Sequence, residues 1–419
     1  MVVIADLHIH SKYSRATSKD LSFENLVKWA KIKGIDVLGT GDFTHPKYFE
    51  EIKKLKEKNG LYYYKDTKNS KNFGASSLTQ TQGFPFVISG EVSLMYKQGQ
   101  SRKVHLVLLV PSVEIAEKVN SYLDTLGRRD YDGRPIFGVS SIEFIKNMME
   151  ISEDIEVIPA HLWTPWFGAF GSKSGFNSMK EAFGYQLPNI HAIETGLSSS
   201  PDMNWRLSDL DDFAILSFSD SHSFWPWRIG REATIFNIEK EELSYNKIIS
   251  AIRNKQIKAT IEVDPAYGMY HYDGHRNCNF SCSPAKSKEL DNICPVCNEK
   301  LTIGVDSRVE ELADRHGGFM SKNARPFYKV LPLHEIISLF TGTGLSSKGN
   351  WDIYNKLIET FGTELNILLN VEKPELREKE VNEKLIELII KNRIGNIKVK
   401  PGYDGVYGQA VIEEQKKLF

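Results

Sequence analysis

The chain has 419 residues, with 53 Lys and Arg against 54 Asp and Glu and 41% apolar residues. That length exceeds one ordinary core and points to one large domain with one or two smaller ones. The net charge of −1 neither requires nor excludes a polyanionic partner, and no apolar run approaches the roughly 18 residues of a membrane span.

The opening MVVIADLHIH lacks the basic flank, long apolar stretch and small-residue cleavage site of a secretion signal. A first strand and a cytoplasmic location are expected. From residue 1 to 257, short β-branched runs alternate with amphipathic helical stretches, the signature of repeated β-α units. The candidate strands are VVIADLHIH, DVLGTGDF, PFVISGEVSL, KVHLVLLV, IEVIPAHL, HAIETG, FAILSFSDSH and ATIFNI. Nearly every one ends in a polar or ionisable residue. In a β/α barrel the C-terminal ends of different strands converge on one face, so ligands scattered through the sequence can meet there.

Residues 258–325 break this rhythm with all four cysteines of the chain, Cys278, Cys282, Cys294 and Cys297. A reducing compartment favours metal ligation over disulfides, and two cysteine pairs eleven residues apart fit a tetrahedral, structural Zn²⁺ site. His275 is the alternative ligand. Residues 326–419 read as a helical region, with LHEIISLF, YNKLIETF, LNILLNV and VNEKLIELIIKN at helical spacing. The region closes on a short hairpin in NIKVKPGYDGVYGQAVI, with Gly405 near its turn. The final Gln415, Leu418 and Phe419 resemble the opening of a peptide that docks on sliding clamps, or else form a frayed helix end.

Six of the eleven histidines fall at strand ends. Asp6, His8 and His10 are two apart and so project to one side of a strand. Asp42 and His45 end the second strand, Glu91 follows PFVISG, and His105 lies in KVHLVLLV. His161 ends IEVIPAHL, and Asp220 and His222 end FAILSFSDSH. Neutral imidazoles with carboxylates suit Zn, Mn or Fe. Asp6 is either a ligand or a partner that orients an imidazole.

At DLHIHS, GTGDFTH, SGEV, the VHL and PAH histidines and SDSH, over roughly residues 1–235, the chain resembles the polymerase-and-histidinol-phosphatase (PHP) superfamily. That resemblance implies a distorted seven-stranded β/α barrel. It also implies that His8, His10, Glu91, His105, His161, Asp220 and His222 are metal ligands. Arg15 and the Asp42-Phe43 pair depart from the family pattern, and His45 stands where it can compensate. Two adjacent divalent ions clamp the attacking and leaving oxygens of a phosphoryl displacement, with Glu91 the natural bridge. Asp220 or His222 is placed to assist proton transfer.

HLWTPWFGAFGSKSGF sets Trp163, Trp166, Phe167 and Phe170 beside His161, with Ser172 and Lys173 following. Such a loop either stacks an unpaired base or caps the barrel core. Arg206 beside Trp205, and Arg228 between Trp227 and Arg231, suit phosphate and base contacts, or else pair with acids such as Glu232.

With IETGLSSSPDMNWRLSDLD, which carries Glu194, and with SDSHSFWPWRIGREATIF, CPVCNEKLTIGVDSRVEELADR, RPFYKVLPLHEII and PGYDGVYGQ, the resemblance narrows to the endonuclease Q family. It implies incision 5′ of a damaged nucleotide in DNA, the targets being uracil, hypoxanthine, xanthine and abasic sites. Mg²⁺ or Mn²⁺ would support turnover. Trp163, Trp166, Phe167, Ser172, Lys173, Glu194, Arg206 and Arg228 are the candidate substrate contacts. A small-molecule phosphomonoesterase and a non-catalytic DNA binder are the competing readings.

Overall fold

The computed structural model describes residues 2–65 and 83–411. The strands of the first part are β1 (Val3–Asp6), β2 (Val37–Gly39), β3 (Lys56–Lys58), β4 (Leu61–Tyr64), β5 (Phe84–Gln98), β6 (Gln100–Val110), β7 (Ile136–Phe137), β8 (Glu156–Pro159), β9 (Ala192–Glu194), β10 (Ala214–Leu216), β11 (Ala233–Phe236) and β12 (Ile257–Glu262). Each of the eight runs singled out from the sequence overlaps one of them. Beyond lie β13 (Asp273–His275), β14 (Phe280–Cys282), β15 (Phe327–Lys329), β16 (Lys398–Lys400) and β17 (Gln409–Val411).

An eleven-stranded sheet runs β15-β12-β11-β1-β2-β5-β4-β3, with β6 on β5 and β8, and β7 on β5. The wall is mixed rather than uniformly parallel. β1, β2 and β5 run parallel, while β11 meets β1, β5 meets β6 and β6 meets β8 antiparallel. The β5–β6 hairpin follows from its one-residue turn, Gly99, whose φ of 71° lies where a side chain is disfavoured. The parallel pair β9–β10 is tied to its neighbours on either side. Leu162 N donates to Glu194 O at 3.0 Å just past β8, and Ser217 N donates to Thr234 Oγ1 of β11 at 3.0 Å.

Val3, Ala5, Val37, Val87, Val107, Ile158, Ala192 and Leu216 form one apolar cluster, closed by the helix Tyr245–Arg253. Each fully buried aliphatic side chain there contributes roughly 1.5–3 kcal/mol. Going on in steps of two, Val87, Ser89 and Glu91 on β5, and Leu109, Val107 and His105 on β6, carry that face from apolar side chains to ionisable ones.

A second core joins the outer face to the C-terminal helices, holding Leu26 and Ile35 together with Ile336, Leu365 and Ile386. A buried ion pair pins this junction: Lys33 Nζ donates to Glu364 Oε1 at 2.6 Å, and Tyr354 OH donates to Glu364 Oε2 at 2.8 Å. β16 and β17 form the expected hairpin. Residues 415, 418 and 419, which carry the clamp-like pattern, lie outside the described residues.

Candidate metal centre

Five separated segments meet at the ends of the strands. One set of ligand atoms comes from His8, His10, Glu91 and Asp220, the other from Glu91, His105 and His161, and within each set all lie within 4.8 Å of one another. Glu91 belongs to both. Its Oε1 lies 2.6 Å from His105 Nδ1 and 3.1 Å from His161 Nε2, while Oε2 lies 3.4 Å from His10 Nε2 and 3.6 Å from His8 Nε2.

Three imidazoles are fixed from behind. His8 Nδ1 donates to Glu194 at 2.9 Å, His10 Nδ1 donates to Asp42 at 2.9 Å, and His161 Nδ1 meets Thr164 Oγ1 at 2.7 Å. Each ring thereby presents Nε2 to the cluster, the arrangement that metal-ligating histidines take from carboxylate and hydroxyl partners. His8 Nε2 is buried without a hydrogen-bond partner. Two inward imidazole nitrogens, His105 Nδ1 and His161 Nε2, face each other at 3.1 Å. An orphaned nitrogen, converging lone pairs and shared carboxylates are the donor set that divalent cations satisfy.

The charges agree. Burial drives His105 down to about 3, against the pull of Glu91, so its lone pair stays free at neutral pH. Burial also opposes ionisation of Glu91, but His105, Arg134 and His8 hold its carboxyl well below the usual range. Asp220 is likewise held well below its usual range, burial being outweighed by its hydrogen bond from His10 and the charge of His8.

The backbone is bent to make this possible. Asp42, His161 and Asp220 sit at φ of 43°, 29° and 46°, a region that side-chain-bearing residues adopt uncommonly. At Gly196 a Cβ would lie 2.6 Å from His161 Cβ, so only glycine allows that approach.

The remaining expected residues stand around the two sets. Asp6 is wholly buried and accepts from Ser219 N, Ser219 Oγ and Gly230 N, with burial raising its pKa to about 6. Asp42 accepts from Ser11 and Ser14 behind His10. His45 stacks on Tyr13 with ring centres 4.4 Å apart. His222 packs on His10 at 4.4 Å, outside both ligand sets and on the rim of a cleft. The cleft runs from His161, Asp220 and His222 to Arg231, Tyr270 and Tyr407.

Several candidate substrate contacts are placed elsewhere. Glu194 has no exposed surface and serves the backs of His8 and His161. Trp163 is also fully buried, with Nε1 donating to Asn204 at 2.8 Å, so it belongs to the core that caps the barrel. Trp166 is 37% exposed and meets the edge of Tyr270. Phe167 packs on His105, Ser172 Oγ donates to Ile303 O, and Lys173 is exposed. Arg206 pairs with Glu310, and Arg228 lies over Tyr407. The cleft-lining Tyr270, and Arg134 on Glu91, carry no sequence signal because lone residues in loops form no pattern, whereas Tyr407 falls within PGYDGVYGQ.

A second group brings His275, Cys278, Cys294 and Cys297 together within 4.8 Å, with His275 Nδ1 3.2 Å from Cys297 Sγ. Burial pushes the Cys294 thiol up, but the amides of Val296 and Cys297 outweigh it and leave it at about 6, favouring thiolate. Cys282, expected as the fourth thiolate, lies outside this group and packs with Cys294 and Leu301 in a small apolar cluster.

A mixed β/α wall, two potential ligand sets sharing one glutamate, and a separate Cys/His group define an α/β protein with two candidate metal sites and appended modules. A family model described as the MJ0043 C-terminal domain matches residues 332–396. Uncharacterized protein MJ0043 of Methanocaldococcus jannaschii is 31% identical over 302 residues, 70% of this chain, and the chain spans only 36% of that protein's length. Uncharacterized protein YqxK of Bacillus subtilis is 26% identical over 97% of this chain and 98% of its own. The crystal structure of the lesion-specific endonuclease PfuEndoQ from Pyrococcus furiosus matches with a TM-score of 0.84 at 29% identity, covering 99% of this chain and 96% of that one. A complex of endonuclease Q with a 27-mer duplex bearing an abasic lesion at its active site matches with a TM-score of 0.85 at 29% identity, covering 99% and 98%. In architecture, over nearly its whole length, the chain is similar to endonuclease Q.

Proposed function

We propose that the chain is a DNA-repair endonuclease that hydrolyses the phosphodiester 5′ of a damaged nucleotide, a deaminated base or an abasic site. The observation that carries the reading is Glu91 shared between two ligand sets beside an open cleft, in a chain whose architecture matches a structure holding lesion-bearing duplex at its active site. His8, His10, Glu91 and Asp220 would hold one divalent ion, and Glu91, His105 and His161 another, with Mg²⁺ or Mn²⁺ the candidates. Such ions supply Lewis acidity and a water of lowered pKa.

The chain's own groups do the rest. Glu194, Asp42 and Thr164 keep three imidazoles in one tautomer and orientation. His222, on the cleft rim with Nδ1 3.0 Å from Asp220 O, or Asp220 itself, would assist proton transfer. The cleft walls Tyr270, Tyr407 and Arg231, with Trp166 adjoining Tyr270, would take an extruded nucleotide. Deaminated bases pair poorly, which lowers the unstacking cost and favours damage. On this reading residues 1–257 carry hydrolysis. Residues 258–325, with Zn²⁺ on the Cys/His group, form a module that builds one cleft wall, and residues 326–419 brace it.

His8→Ala tests the assignment. Cleavage of uracil-containing duplex should be lost while salt-sensitive binding of that duplex persists. Cleavage at the wild-type rate contradicts it.

A further inference from the structure

One cation reaches the cluster from outside both ligand sets. Arg134 Nη1 donates to Glu91 Oε2 at 3.0 Å, the oxygen that also faces His10 and His8. Its side chain is 26% exposed, so the guanidinium spans the ligand cluster and solvent.

The loop that carries it is held tightly against the site. Arg134 N donates to Asp132 Oδ1 at 3.2 Å, and Asp132 accepts from Arg15 N at 3.3 Å. Gly133 O accepts from Thr44 Oγ1 at 3.0 Å, and a Cβ on Gly133 would meet Asp42 Oδ2 at 2.2 Å. The segment is therefore pressed onto the carboxylate that orients His10. Its backbone is held, while the guanidinium is joined to the cluster through Glu91 and keeps a solvent-facing side.

Glu91 Oε2 cannot serve a guanidinium and two cation-ligating imidazoles equally. Cations at the ligand sets would claim that oxygen and repel the guanidinium. The nearest new anion is then a phosphate laid over the cluster, which a planar fork of donors matches in shape as well as charge. Arg15, 76% exposed and 3.5 Å from Asp132 Oδ2 through Nε, continues the positive edge away from the site.

We propose that Arg134 is a substrate-binding residue that leaves Glu91 for a non-bridging oxygen of the scissile phosphate. The proposal rests on the nuclease reading above and names a residue of its active site.

The test compares the full chain with Arg134→Met and Arg134→Lys. Cleavage of an abasic-site duplex in Mn²⁺, equilibrium binding of that duplex across a salt series with Ca²⁺ in place of Mn²⁺ so that the cation sites are filled without turnover, and bound metal are measured. Arg134→Met should lower the turnover rate about 100-fold and flatten the salt slope of binding by about one, with Arg134→Lys recovering part of both. Bound metal and melting temperature should match the wild type. Unchanged cleavage and salt slope in Arg134→Met overturn the assignment, and so does a loss of bound metal, which would make Arg134 a support for Glu91. A wild-type chain that leaves every lesion uncut overturns the nuclease reading itself, and the assignment with it.

Discussion

The Glu194 carboxylate lies 2.9 Å from His8 Nδ1, which leaves His8 Nε2 aimed into the cluster with no partner of its own. Glu194 also accepts from His161 N at 2.8 Å, so one buried side chain sets ligands of both sets. Glu194→Ala should weaken Mn²⁺ binding 10- to 100-fold, read by metal titration of the protein alone. An unchanged affinity would remove that supporting role.

Glu91 is common to both sets, so its loss should be felt twice. Added Mn²⁺ at about 100 times its dissociation constant should stabilise the native chain by about 2.7 kcal/mol per site. Glu91→Ala should abolish most of that gain, measured as the shift in melting temperature on adding metal or chelator. A wild-type shift in the variant contradicts a shared carboxylate.

The Cys/His group makes an assignment among five side chains. His275→Ala and Cys294→Ala should each lower zinc content and loosen residues 273–302, whereas Cys282→Ala should retain zinc. Elemental analysis with limited proteolysis reads both. Zinc lost from Cys282→Ala alone would restore the four-thiolate set.

Glu262 is fully buried near Glu232, and burial raises its pKa from 4.5 to about 8. In that interval the unfolded chain has released the proton and the native chain still holds it. Stability present below 4.5 is therefore lost progressively as pH rises towards 8. Glu262→Gln keeps the shape and removes the ionisation, so its melting temperature should fall less than the wild type's between about pH 5 and 8. Parallel curves would contradict the buried, protonated carboxyl.

Two tryptophans three residues apart should behave differently. Trp163→Ala removes a fully buried ring and should cost about 3–5 kcal/mol of stability. Trp166→Ala, at a site 37% exposed, should leave stability and metal content nearly unchanged while weakening discrimination of damaged over normal DNA. Equal cleavage of uracil-containing DNA by wild type and Trp166→Ala would remove that residue from substrate contact.

The architecture was legible where periodicity is strong. All eight expected strands formed because β-branched runs bounded by polar residues leave little choice of conformation. His8, His10, Glu91, His105, His161 and Asp220 gathered because ionisable groups ending buried strands have nowhere else to find partners. Spacing could not say which way a side chain faces in irregular backbone. Cys282 and His275 lie on the short strands β14 and β13, and the paired cysteine spacing favoured Cys282 with His275 as the alternative. Asp6 and Asp42 have ligand chemistry, yet backbone amides and serine hydroxyls occupy their oxygens. Trp163 and Glu194 turned inward for packing and for imidazole support, terms that no motif encodes.

The most direct measurement is incubation of the full chain with end-labelled duplexes carrying uracil, hypoxanthine or an abasic site, with Mg²⁺ or Mn²⁺ and again with chelator. The account requires a single cut at the bond 5′ of the damaged nucleotide, absent from undamaged duplex and abolished by chelator. Damaged duplexes left whole in the presence of either metal, or cut equally well in chelator, would contradict it.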